Sequence, residues 1–199
     1  MPGSATARHF DALATGYSQF RGRWPLGLLQ AEEDRAVHQL ADVRPGERVL
    51  EVGCGAGRTL SWLQQREARA FGVDVSRAMA LQCRAAGHLV SVQDMQALAF
   101  RPVFDWVMCV GALEFVADPL ATLRGFAASL RSHGQLLLLY PRRGMPGSLY
   151  RIYHRSNGIK VHLFSAGEIK DLCRKAGFEA PAPPIDCRLS SVCVARRAS

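Results

Sequence analysis

The sequence predicts a doubly wound α/β domain, on three observations: short apolar runs alternate with helix-period segments, a glycine-rich turn joins a strand to a helix, and no repeat or linker divides the chain. The chain has 199 residues, 48% hydrophobic and 21% charged, as in one ordinary globular domain. A chain of this length buries about 70% of its unfolded surface, so its stability requires neither disulfide nor metal.

The elements follow in order. Helix-period patterning covers 28–43, and the first strand is the run Val49-Leu50-Glu51-Val52. Further strands fall at 70–73, 106–110 and 136–140, each continuous enough in apolar residues to be buried on both faces of a parallel sheet. A third short strand at Val90-Ser91-Val92 precedes Gln93-Asp94-Met95. Helices are expected over 58–66, 76–86 and 118–130. The last starts on an Asp118 N-cap with Pro119 at its first position, and Gly134 follows its end. Ser165 and Glu168 form a capping box for a helix that stops at Gly177. Segments 178–185 and 191–196 lie too close for a helical crossover and read as an antiparallel pair closing the sheet.

Charge and cysteines narrow the function classes. The formal net charge of +8 favours acidic partners, whether anionic small molecules, lipid head groups or nucleic acid. Nucleic acid is disfavoured because no recognition module accompanies the basic residues, whereas peripheral membrane contact is compatible with them. The six cysteines are scattered without a C-x-x-C pair, which suggests reduced thiols in a cytoplasmic protein. The six histidines do not cluster at ligand spacing, so no metal is expected. No leader-like layout occupies 1–10, and no apolar run reaches the length of a membrane span.

The chemistry concentrates in Glu51-Val52-Gly53-Cys54-Gly55-Ala56-Gly57-Arg58. Alternating glycines let the backbone turn sharply and let a ligand approach without a Cβ in the way. The helix that follows offers free N–H groups to an anion. A dinucleotide fingerprint would need a third glycine at position 58, where Arg58 stands, and this argues against a nicotinamide-dependent oxidoreductase. Asp74 ends the next strand, 17 residues after Gly57, where a carboxylate can accept from both ribose hydroxyls; the alternative is a helix N-cap, which Ser76 satisfies better. Asp94 is placed to accept from an adenine amino group while Met95 packs on the ring.

Together with Phe104-Asp105-Trp106-Val107-Met108-Cys109 and Leu113-Glu114-Phe115-Val116-Ala117-Asp118-Pro119, this ordered set resembles the class I S-adenosylmethionine-dependent methyltransferases. It is closest to the broad subgroup containing the ubiquinone and menaquinone methyltransferases, and the resemblance runs from about residue 10 to the C-terminus. It implies a Rossmann-like, seven-stranded, mostly parallel sheet with an antiparallel C-terminal strand. The single domain would comprise an N-terminal helical cap (1–43), a cofactor-binding core (44–140), a substrate lid (141–164) and a C-terminal helix with closing strands (165–199).

The resemblance also implies roles. Gly53, Gly55 and Gly57, with Cys54, line the methionine part of S-adenosylmethionine, and Glu51 orients it directly or through water. Asp74 and Val75 serve the ribose, Asp94 and Met95 the adenine, and backbone at Val110 and Gly111 the ammonium. Tyr17 closes over the cofactor, and the product is S-adenosylhomocysteine. Relatives usually carry histidine where this chain has Phe115, which removes a general base there.

On the acceptor side, the lid holds Arg142, Arg143, Arg151, Arg155 and Lys160 with Tyr150, Tyr153, His154 and His162, and no acidic residue. Arg21, Arg23 and Trp24 are candidates for the same rim. This reads either as a solvated basic lid or as an electropositive mouth for an anionic or lipid-like acceptor, with Arg151, Tyr153 and Arg155 as contacts. His154 and His162 are the base candidates. A base is needed only where the acceptor carries its proton at neutral pH. Small-molecule acceptors lead, membrane lipid or quinone head groups follow, and a non-catalytic cofactor-binding partner protein is the alternative of another class. No motif specifies an oligomeric state.

Overall fold

The protein is represented by a computed structural model, which describes residues 5–14, 16 and 26–198. Helices α1 (Ala5–Leu13) and α2 (Leu26–Leu40) precede β1 (Arg48–Val52), α3 (Arg58–Gln65), β2 (Arg69–Asp74), α4 (Arg77–Ala85) and β3 (Val90–Val92). Then come β4 (Phe104–Val110), α5 (Pro119–Ser129), β5 (Leu130–Pro141), α6 (Met145–Ser156), α7 (Ala166–Lys175), β6 (Ile185–Asp186) and β7 (Ser190–Arg196). Short 3-10 turns at Met95–Ala97 and Leu113–Phe115 follow β3 and β4.

The seven strands form one sheet in the order β3-β2-β1-β4-β5-β7-β6. The first five are mutually parallel, and β7 runs antiparallel to β5 in register from Gln135↔Arg196 to Pro141↔Ser190. This is the Rossmann-like sheet expected. The chain winds outward from β1 to β3, then returns to add β4 and β5 on the other side. Two connections therefore part between β1 and β4, leaving a crevice at their carboxyl ends, where such sheets bind ligands.

Strand side chains alternate between two layers, as the pleat requires. Leu50, Val107 and Leu136 pack with Leu123 and Phe126 of α5 and Ile169 and Cys173 of α7. Val49, Trp106 and Leu137 face the other way, onto Val37 of α2, Leu60 and Leu63 of α3, and Ala80 and Cys83 of α4. All six cysteines are buried and free.

The capping signals hold. Asp118 accepts from Ala121 N–H, Pro119 opens α5, and the Ser165/Glu168 box is closed at both ends. Two expectations differ. Segment 178–184 forms no strand; Phe178 makes one isolated bridge to Arg197, and Pro181, Pro183 and Pro184 remove the donors a ladder needs. The pair closing the sheet is β6 with β7, and β7 lies inside β6. Helix α5 passes directly into β5 at Leu130, and Gly134, which follows its end, sits within that strand.

Ser165→Ala removes the side-chain acceptor 3.2 Å from Glu168 N and should destabilise the fold by about 1 kcal/mol. Urea unfolding should show a lower midpoint at unchanged slope; an unchanged midpoint would mean that the ion pair between Arg143 and Glu168 already holds this helix end.

Candidate active site

The loop 53–57 leaves β1 with its glycines in left-handed conformations, φ being 71° at Gly53 and 53° at Gly55. A Cβ on Gly53 would lie 2.4 Å from Ala112 Cβ and 3.2 Å from Met95 Cε, so its absence lets the segment after β4 and Met95 close against the loop. A Cβ on Gly55 would meet nothing within 4 Å: that face of the loop is open. Gly57 is the N-cap of α3.

Asp74, buried at the end of β2, ties this loop down. Its Oδ2 accepts from Gly55 N–H and its Oδ1 from Ser76 N–H, both at 2.8 Å. Burial raises its pKa, against the lowering effect of these hydrogen bonds. Ser76 is the N-cap of α4, accepting from Met79 N–H and donating to Asp11 Oδ1 on α1 at 2.6 Å. The N-terminal helix is thereby pinned beside the crevice.

Glu51 lies under the loop, fully enclosed. Burial pushes its carboxyl up to about 8, the Thr59 side chain opposing this with a hydrogen bond. Its Oε2 is buried and meets no hydrogen-bond partner. A buried carboxylate oxygen without a donor is costly unless a ligand supplies one.

The other expected cofactor residues separate by role. Met95 reaches the glycine loop. Asp94 is half-buried and caps its own 3-10 turn, Oδ1 accepting from Gln96 N–H at 2.9 Å. Gln96 Oε1 in turn accepts from Ala117 N–H, joining the loops after β3 and β4. Val75, Val110 and Gly111 are half-buried at the strand ends, and Gly111 N–H donates to Leu139 O. The Cys54 side chain points away from the crevice into the core against Leu60, Ala80 and Cys83, leaving only its backbone toward a ligand. Tyr17, Arg21, Arg23 and Trp24 lie outside the described residues.

The second wall is aromatic. Phe10 of α1 packs edge-on against Phe115 at 5.2 Å, and His154 of α6 meets Tyr150, Tyr153, Phe115 and His9 at ring distances of 4.4 to 5.7 Å. Tyr150 Oη lies 3.4 Å from Glu114 Oε1. Sequence reasoning did not single out His9 or Phe10, because a ring contact between α1 and α6 leaves no local pattern.

Beside this wall opens a cleft of about 440 Å³ lined by Arg143, Ser148, Arg151, Val161, His162 and Leu163. His162 is exposed there, and its backbone N–H donates to Glu114 O at 2.9 Å. His154, in contrast, is enclosed by rings. Arg143 pairs with Glu168, while Arg151 has no ion pair among the described residues. Arg155 and Tyr153 are exposed on α6 and do not line the cleft.

A doubly wound sheet with a buried, unpartnered carboxylate oxygen close to an open glycine loop at the end of β1 fits a class I methyltransferase of the Rossmann-like kind. The chain belongs to the methyltransferase domain family, whose model matches residues 28–181. It is 28% identical over 153 residues to the ubiquinone biosynthesis O-methyltransferase of Alkalilimnicola ehrlichii, covering 72% of this chain and 62% of that protein. It is 27% identical over 154 residues to the enzyme of the same name from Vibrio campbellii, covering 73% and 66%. The chain thus spans about two thirds of these relatives' length or slightly less. Magnesium protoporphyrin IX methyltransferase from Synechocystis, solved with S-adenosylhomocysteine, superposes with a TM-score of 0.76 at 19% identity over 97% of this chain and 98% of that one.

The Glu51 environment predicts a pH effect. The folded carboxyl keeps its proton to about pH 8, whereas the unfolded one loses it near 4.5. Between those values the native state holds more protons, so this group's contribution to stability falls as pH rises. Glu51→Gln should therefore stabilise the free protein by about 1–3 kcal/mol at pH 8 and have little effect at pH 4, read by thermal unfolding. Equal effects at both pH values would show that the carboxyl ionises freely in the fold.

Proposed function

We propose that this chain transfers the methyl group of S-adenosylmethionine to a hydroxyl of an anionic small molecule held in the Arg143–Arg151–His162 cleft. The observation that carries the reading is the unpartnered, buried Glu51 Oε2 beneath the open face of Gly55. Those groups suit a ligand that is cationic at one end and needs close backbone contact along its length. Glu51 would receive the methionine ammonium, with backbone at Val110 and Gly111 beside it. The loop 53–57 would carry the methionine chain, the spare lone pairs of Asp74 the ribose, and Asp94 with Met95 the adenine.

When bound, S-adenosylmethionine supplies a methyl group on a sulfonium sulfur, leaving S-adenosylhomocysteine after in-line attack. What the protein adds is alignment and exclusion of water, and alignment alone is worth about 7–11 kcal/mol. The aromatic wall of Phe10, Phe115, Tyr150 and His154 shields the crevice. Arg151, whose guanidinium has no ion pair among the described residues, would anchor the acceptor's charge. His162, exposed in the same cleft, would take the hydroxyl proton; His154, enclosed by rings, would hold the wall in place. A quinone-type head group is the second reading, favoured by the names of the two relatives.

Three outcomes test this. Binding of a cationic ammonium requires ionised Glu51, so S-adenosylhomocysteine affinity by calorimetry should rise between pH 6 and 8 by at most about tenfold per unit, and Glu51→Gln should lose that slope. His162→Ala should lower kcat toward a hydroxyl acceptor by about 10²–10⁴-fold and leave that affinity unchanged. Methyl-labelled cofactor incubated with fractionated extract, with Arg151→Glu alongside, reports the acceptor: label in anionic products that Arg151→Glu reduces supports the cleft, and label equal in both proteins removes Arg151 from the site.

A further inference from the structure

Helix α6 is apolar on two opposite faces. Its inner face, Gly147, Tyr150 and His154, packs toward the aromatic wall. On the outer face Met145 is 81% exposed, Leu149 65%, Ile152 62% and Tyr153 52%. Positions 145, 149, 152 and 153 fall in one stripe of a 3.6-residue helix. Among the described residues, eight large hydrophobic side chains are exposed, and half of them stand on these twelve residues. Single exposed apolar side chains are ordinary, but a contiguous stripe marks a contact surface.

The charges around the stripe identify what it contacts. No Asp or Glu occurs from Pro141 to Gly167, a stretch that holds Arg142, Arg143, Arg151, Arg155 and Lys160. Arg142 and Arg143 are paired with Asp186 and Glu168, whereas Arg151, Arg155 and Lys160 have no ion pair among the described residues. Arg151 and Arg155 are one turn apart and border the stripe on the side where Ser148 and Arg151 line the cleft. A second copy meeting this face across a two-fold axis would bring like charges together. An apolar stripe edged by unpaired cations matches instead the boundary between lipid head groups and acyl chains.

We propose that α6 docks the protein in the plane of an anionic bilayer, with Met145, Leu149, Ile152 and Tyr153 entering the head-group boundary and Arg155 meeting lipid phosphates. No described helix is long and apolar enough to cross a membrane; at about 1.5 Å per residue α6 reaches about 18 Å and lies flat. The cleft then opens at the lipid surface, where an amphiphilic acceptor would enter. The docking surface stands apart from the methyl-transfer reading, since vesicle binding is measured without turnover.

The test is co-sedimentation of the full chain with phosphatidylcholine vesicles, with and without phosphatidylglycerol. Binding should require phosphatidylglycerol and weaken with salt, as screening shortens. Arg155→Glu should weaken it by at least about fivefold, the scale of one basic residue near a charged surface. Leu149→Asp combined with Ile152→Asp should abolish it while S-adenosylhomocysteine affinity and circular dichroism stay unchanged, showing an intact fold and cofactor site. Equal binding to both vesicle types, no binding to either, or full binding by the double variant would overturn the proposal. So would a dimer that the double variant dissociates without change in vesicle binding, which would assign the stripe to a second copy of this chain.

Discussion

One carboxylate governs the geometry of the cofactor end of this protein. Asp74 takes a backbone N–H from Gly55 with one oxygen and from Ser76 with the other, so the turn after β1 and the turn after β2 are held by the same side chain. Burial disfavours its charge, and two backbone donors offset that cost. Around this tie the remaining parts fall into place. Ser76 caps α4 and binds Asp11, which seats α1; the left-handed loop stays open above Glu51.

The sheet makes such a tie useful. Because β4 returns to the far side of β1, the helices that follow these two strands lie on opposite faces of the sheet and their connections part at the carboxyl ends. Strands packed on both faces leave little freedom for these ends to drift, since each carries side chains into two separate core layers. The strand ends are therefore held in place, and Glu51 is kept in an enclosure where its charge is unfavourable.

The aromatic and basic side of the molecule is built on another principle. Nothing there has the density of the glycine loop; it is a wall of rings contributed by α1, the turn after β4, and α6, beside a cleft of basic side chains. Phe115 contributes a ring to that wall, and His162 stands exposed in the cleft beside it.

Features that rest on neighbours close along the chain were legible in the sequence. The buried strands, the glycine turn after Glu51, the Asp118 and Ser165 caps and the doubly wound order all follow from patterns a few residues long, and the residues expected at the cofactor are spaced by that same order. The tertiary structure decided the rest. Only in the fold does Asp74 prove to bind two backbone turns, Cys54 to face the core, His154 to be enclosed and His162 exposed, and β7 to lie between β5 and β6. Helix α6 went unread because it starts on Gly144 with no side-chain cap, and because its apolar residues face in two directions, which blurs the one-sided periodicity that marks a helix. Its outer stripe becomes visible once the inner face has been assigned to the aromatic wall, and that assignment depends on residues more than a hundred positions away in α1. Contacts at such separations are set by packing, on which local propensity has no purchase.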